Sequence, residues 1–202
     1  MDLLTTDWTI KLLSVAAGLG LSAACGFRVF LPFAAISLAA MIGYLPLTPE
    51  FAWLGQWPAL IILSTATIVE IGAYYIPWVD NLLDTIATPV AVLAGAIAAA
   101  AVLVDMPPEI RWTVVAIAGG TAGVVQTGSV LTRALSTAIT GGLGNVAVAS
   151  SELIGAALLA LLAILLPPLA LLLVIVLMVV IIRRLWRRRQ RAIEPGIHQQ
   201  AP

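Results

Sequence analysis

Apolar residues run along this chain in long blocks, separated by short polar or proline-bearing interruptions. Thr6 or Asp7 is placed to N-cap a first helix reaching about Ala24. Ser14, Gly18, Ser22 and Gly26 recur every fourth residue and make a smooth stripe for close helix packing. After a glycine-bearing break in CGFRVFLP (25–32), residues 29–44 form a shorter helix. Pro32 falls in its first turn, where a missing N–H is tolerated. Residues 45–57 read as a loop whose Phe51, Trp53 and Trp57 suit a membrane interface. A span over 58–76 carries Glu70. A polar interlude at 77–88 follows, holding Asp80, Asn81, Asp84 and Thr85. A plain span over 89–104 and a proline-bearing connection at 105–111 complete this half.

The order then recurs. Residues 111–126 are apolar, with Gly119 and Gly123 as a close-packing face. A second break is expected at 127–129, in QTGSVLTR (126–133), followed by a short segment to Thr140. GGLGN (141–145) is a turn. Residues 146–166 span and carry Glu152 near their start; Pro167 and Pro168 then turn the chain into a last span. Residues 146–182 as one helix would measure about 55 Å, more than one bilayer, so the double proline separates two spans.

The expected fold is thus an all-α integral membrane protein of two weakly similar halves. Each half has a glycine-broken or re-entrant helix pair followed by two spanning helices. Residues 1–188 form one polytopic domain, with pseudo-repeats about 7–104 and 110–186, and 189–202 form a disordered cytoplasmic tail. Gly18 and Gly26 stand eight apart, as do Gly120 and Gly128, and EIGA at Glu70 echoes ELIGA at Glu152. Duplicated halves with broken helices are a plan that transporters use. Residues 12–43 would be about 48 Å if straight, so the first break must bend or unwind. It is either a re-entrant hairpin or one discontinuous span; the shortness of 130–140 favours the hairpin. Either version puts both termini on the cytoplasmic side.

Composition agrees. Of 202 residues, 61% are hydrophobic, more than a soluble domain of this size can hide, and the mean hydropathy is +1.09. The net charge is zero but unevenly spread: six of ten basic residues lie in RRLWRRRQR (183–191). Such a cluster after an apolar helix marks the cytoplasmic side and attracts anionic lipid headgroups. So short a segment beside a membrane helix argues against nucleic-acid binding. The single cysteine, Cys25, excludes an internal disulfide. SAAC (22–25) has the look of a lipoprotein cleavage box, but Asp2 and Asp7 in the leading segment and the apolar sequence resuming after Cys25 speak against cleavage.

The residues that stand out chemically are Arg28 and Arg133, one beside each break. A guanidinium inside the bilayer costs about 2.5–3.5 kcal/mol on insertion scales. Broken helices expose N–H groups that attract anions, and an arginine beside them adds a bidentate ligand for phosphate or carboxylate. The candidate substrate-binding set is Arg28, Arg133, Gly26, Gly128 and Asn145, with the two breaks meeting near the midplane. In the plainer alternative each arginine pairs with Glu70 or Glu152 and ties helices together. Those two glutamates are also candidates for proton coupling. Asp80 and Asp84, at i and i+4 on a helix with Asn81 beside them, are gate or cation candidates. Paired aspartates hold Mg²⁺ in intramembrane prenyl transferases, but those enzymes need a second acidic motif and more spans. GGLGN resembles the GxGD motif of intramembrane aspartyl proteases, yet Asn145 stands where the aspartate must be. There is no HExxH, GxSxG or P-loop, so no enzyme activity, metal or cofactor is expected.

GLSAACGFRVFLPFAAISLAA, AYYIPWVDNLLDTIATPVAVLAG, VLTRALSTAITGGLGN and the arginine-rich end together resemble the bacterial membrane-protein family catalogued as domain of unknown function 4126. The resemblance runs from about Leu12 to Arg191 and implies a bacterial inner-membrane protein without supplying a reaction. The reading that follows is a transporter or lipid-translocase-like protein for a small anion or a phosphorylated lipid headgroup. Proton coupling through Glu70 or Glu152 is open to it, and a homo-oligomer is compatible with it. The alternative is a non-transporting scaffold whose small-residue stripes bind partner helices, with an intramembrane metal-dependent enzyme ranked behind it.

Overall fold

Prolines set the helix starts. In the computed structural model, α1 covers Asp2–Cys25, α2 Phe30–Met41, α3 Trp57–Tyr74, α4 Pro77–Val102, α5 Pro108–Thr140, α6 Asn145–Leu165 and α7 Pro167–Ile193, with a short 3₁₀ helix at Pro49–Gly55 before α3. Proline occupies one of the first two positions in α3, α4, α5 and α7, where its missing N–H has no intrahelical partner to lose. The structure describes residues 2–193, without the side chains of 2–7, 77, 78, 80–85, 185, 188, 189 and 191–193. No strand occurs among the described residues. Five helices are long and apolar enough to cross a membrane: α1 from Trp8, α3, α5, α6 and α7 up to Arg184. The fold is that of a multi-pass membrane protein.

The first break forms as expected. α1 ends at Cys25, and the Gly26, Phe27 and Arg28 amides hydrogen-bond back into its last turn before α2 starts at Phe30. Pro32 explains the interruption, because its ring clashes with the carbonyl four residues earlier, that of Arg28, if the helix continues. The second break does not form: α5 runs unbroken through 127–129. No proline lies in residues 109–140, and one glycine lowers helix propensity by only about 1 kcal/mol. Gly128 serves close approach instead, since a Cβ there would stand 3.2 Å from Ile181 Cδ1 of α7. The two halves therefore differ where they were expected to match. The interlude at 77–88 is likewise no separate element but the first turns of α4, which continues through Pro89.

α1 is the central helix and packs on α4, α5, α6 and α7. Its contacts fix the direction of its neighbours. Gly18 faces Ala99 and Val102, whereas Gly95 faces Ser22, so α4 runs antiparallel to α1. The Ser22 hydroxyl donates to the Ala118 carbonyl, and Gly26 meets Ala122 and Val125, so α5 runs parallel. Gly20 lies against Ala163 of α6 and Ala170 of α7, while Ile181 has climbed to the level of Gly128. α7 is therefore parallel to α1. The first turn of α1 and the last turn of α7 sit at opposite ends of the bundle, against the expectation of both termini on one side. That expectation assumed two equivalent breaks, and α5 is continuous. α2 folds back: its start lies beside Glu70, and Thr48 beyond it donates its amide to the Ala101 carbonyl near the end of α4.

The core is built from small side chains, among them Ala23, Ala24, Ala98, Ala101, Ala160 and Ala163. In lipid no hydrophobic effect drives helices together, so close backbone approach does the packing. The tail expected at 189–202 is helical in its first part, since α7 reaches Ile193; 194–202 lie outside the described residues.

Candidate functional site

Three helices and the α1–α2 reversal bring a polar cluster together in this apolar bundle. Arg28 comes from the α1–α2 reversal, Glu70 and Tyr74 from α3, Gln126, Ser129 and Arg133 from α5, and Ala149 and Glu152 from α6. The helical repeat explains the grouping. Glu70 and Tyr74 are four apart on α3, while Gln126, Ser129 and Arg133 occupy i, i+3 and i+7 on α5.

Arg133 is held tightly. Its Nη2 donates to Glu152 Oε2 at 2.8 Å and to Ser129 Oγ at 3.0 Å, and its Nε lies 3.3 Å from Glu152 Oε1. The Ser129 hydroxyl donates to the same carboxylate. Arg28 is held more loosely. Its Nη2 donates to the Ala149 carbonyl at 2.9 Å and lies 3.8 Å from Glu152 Oε2. Both guanidiniums also lean on the ring of Tyr74, with their carbons 3.8 Å (Arg28) and 4.5 Å (Arg133) from its centroid. A desolvated cation against an aromatic face gains about 2 kcal/mol.

Burial makes these contacts consequential. Arg28 and Arg133 are each 1% exposed and Glu152 is 5% exposed. A buried charge must be paired and its donors satisfied. Arg133 meets this through Glu152. Arg28 does not, because its Nε and Nη1 have no hydrogen-bond partner among the described residues. The Gln126 Nε2, also buried, is in the same condition.

Glu70 caps the reversal. Its Oε1 accepts the Val29 amide at 2.7 Å and its Oε2 the Phe30 amide at 3.0 Å. A helix N-terminus is where an anion is stabilised, and here an internal carboxylate occupies that place. Glu70 thus serves α2 directly, and the arginines share Glu152. The cluster sits at the last turn of α3, since Tyr74 is its final residue.

The other candidates fall elsewhere. Gly26 is a packing residue, where a Cβ would stand 2.6 Å from the Ala122 carbonyl oxygen. Gly128 lies on α5, next to Ser129, and lines a cavity of about 210 Å³ with Glu152, Ser151, Thr132 and Arg184. Asn145 is apart from the cluster, at the α5–α6 turn, where its amide donates to Thr137 at 3.0 Å. Asp80, Asn81 and Asp84 lie on the first turns of α4, but their side chains are outside the described residues. Tyr74, Ser129 and Gln126 were not anticipated; their helical register with Glu70 and Arg133 was the available signal.

The architecture is that of an all-helical, multi-pass membrane protein, with an Arg–Glu–Tyr cluster under a capped helix reversal. The chain belongs to the family described as Domain of unknown function (DUF4126), whose model matches residues 15–187. No curated protein and no solved structure matches the chain.

Proposed function

We propose that this chain is a transporter or lipid-translocase-like protein, without catalytic chemistry of its own, that binds the anionic group of a small molecule or phosphorylated lipid at Arg28. The unpartnered Nε and Nη1 of that buried arginine carry the reading. An unsatisfied buried donor costs about 1–3 kcal/mol, and more when charged. A phosphate or carboxylate oxygen removes that penalty. Arg133 stays clamped by Glu152 and adds positive potential. Glu70 and Glu152 are the groups through which a proton would be exchanged for the substrate.

In this reading the chain lies in a bacterial inner membrane, with the α1–α2 reversal near one of its faces. The arginine-rich end of α7 lies on the cytoplasmic side, where it meets anionic headgroups, and α1 begins on the other. The test is reconstitution. Proteoliposomes holding the full chain should take up radiolabelled inorganic phosphate or a short-chain phosphatidate, and Arg28→Gln should abolish uptake while the protein still elutes as a folded species. Arg133→Gln, which also breaks the clamp, should lower yield as well.

The sealing of both guanidiniums from solvent favours a second reading, a non-transporting scaffold or assembly protein whose polar cluster only ties helices together. Under it, Arg28→Gln lowers folding yield and no anion stabilises the wild-type chain.

A further inference from the structure

We infer that the lateral groove between α3 and α4 is the binding site of a phosphate-headed lipid, and that Glu70 occupies the place its phosphate would take. This deepens, and rests on, the anion-binding reading of the same cluster.

The groove has a volume of about 700 Å³, within the range of about 300–1,000 Å³ typical of ligand sites. Its walls are Ile61, Ile62, Val69, Ile86 and Val90, side chains that face outward toward lipid. Its polar end is formed by Val29, Phe30, Glu70, Tyr74 and Gln126. The two ends lie at different depths. Glu70 is four residues, about 6 Å, from the end of α3, whereas Ile61 lies about 14 Å further into the helix. A molecule filling this groove has its head near the membrane surface and its hydrocarbon toward the centre, which is how a bilayer lipid already stands.

The polar end offers donors. The Gln126 side chain is 2% exposed and lines the groove, and its Nε2 has no partner among the described residues. Val29 and Phe30 line the same space, and their amides are held by Glu70. The Tyr74 ring forms part of the wall, with the Arg28 guanidinium carbon 3.8 Å from its centroid. Two N-terminal amides, a carboxamide nitrogen without a partner and a buried cation behind one ring suit this end of the groove to a phosphate. A bare hydrocarbon would fill the groove and leave Gln126 unsatisfied. For phosphate to enter, the Glu70 carboxylate must swing away, so the internal anion and the lipid compete for the same two amides.

Binding of radiolabelled phosphatidate to the purified full-length chain in detergent tests this. Diacylglycerol serves as the tail-only competitor and inorganic phosphate as the head-only one. The expected result is saturable binding that diacylglycerol does not displace and that inorganic phosphate displaces only weakly. Gln126→Leu should weaken it about tenfold, the loss of one hydrogen bond to a charged group, without lowering the unfolding temperature, because the substitution removes an unsatisfied donor. Val69→Trp should block it, since Val69 is 65% exposed and stands in the groove. Ile175→Trp, on the outer face of α7, should not. Glu70→Gln should tighten it by removing the competing charge.

Equal displacement by diacylglycerol would reduce the groove to an apolar slot, and equal displacement by inorganic phosphate would make the site one for free anions. Either result, or wild-type binding by both Gln126→Leu and Val69→Trp, overturns the inference. If those arms fail while phosphate still stabilises the wild type and not Arg28→Gln, the anion-binding reading stands and only the lipid groove falls. If phosphate stabilises neither protein, both fall.

Discussion

Arg28 and Arg133 converge on one oxygen, Glu152 Oε2, at 3.8 and 2.8 Å. Each comes from a different part of the chain, and both are buried. One carboxylate therefore faces two sealed cations, and the Tyr74 ring takes part of the excess positive charge through its face.

Glu152→Gln should accordingly be among the most damaging single substitutions in the chain. Breaking a buried ion pair from one side costs about 3–5 kcal/mol, and here two cations lose their partner at once. Adding Arg133→Gln should recover part of the loss, because one of the stranded charges goes with it. Reversible unfolding in detergent would measure both. A double substitution as unstable as the sum of the singles would show that the two side chains are not coupled.

Glycines of this chain divide by what faces them. A Cβ on Gly26 would lie 2.6 Å from the Ala122 carbonyl oxygen and from Val125 Cβ. Both belong to α5, so α1 and α5 must part to admit it, and Gly26→Ala should cost about 1–3 kcal/mol. A Cβ on Gly120 meets nothing within 4 Å, and Gly120→Ala should stabilise the helix by about 0.5–1 kcal/mol. Thermal unfolding of the two variants should move in opposite directions. A loss of stability at Gly120 of the size seen at Gly26 would contradict this packing.

Hydrophobic runs and prolines made the helices legible, because in lipid the backbone has few alternatives to a helix. The glycines misled. Gly26 and Gly128 have alike surroundings in sequence, but Pro32 stands four residues after Arg28 and nothing comparable follows Gly128. The polar cluster was half legible. Arginine and glutamate inside apolar runs declare themselves, and the Arg133–Glu152 pair was foreseen as the plainer alternative. Which glutamate would serve which cation depends on helix directions that no local pattern records. Glu70 therefore came out as the cap of α2, and Tyr74 and Gln126 entered unannounced.

At the other end of the bundle, Glu50 and Arg111 pair at 3.4 Å in the open. The Glu50 carboxyl is held below its ordinary range by its own backbone N–H first, then by Arg111 and Thr48. A carboxyl depressed in the folded state stabilises the fold above its unfolded value and loses that contribution as pH falls through the folded one. The difference in unfolding temperature between wild type and Glu50→Gln should thus shrink on acidification through the carboxylate range, and shrink with added salt at neutral pH. A difference that grows toward low pH would reverse the sign assigned here.

Cys25 reports on the state of the helix reversal. It is fully buried at the last residue of α1, three residues before Arg28. Thiol chemistry needs access as well as the thiolate. A membrane-impermeant maleimide should therefore fail to label Cys25 from either face of a sealed vesicle, and should label it fully once the protein is denatured. A transporter must at some stage open the cluster to water, so the anion that Arg28 binds should raise the labelling rate from one face. A scaffold predicts no change with any anion. Rapid labelling of the resting protein would mean that the reversal is already wet, and that the closed arrangement of Arg28, Tyr74 and Glu152 is not its resting state.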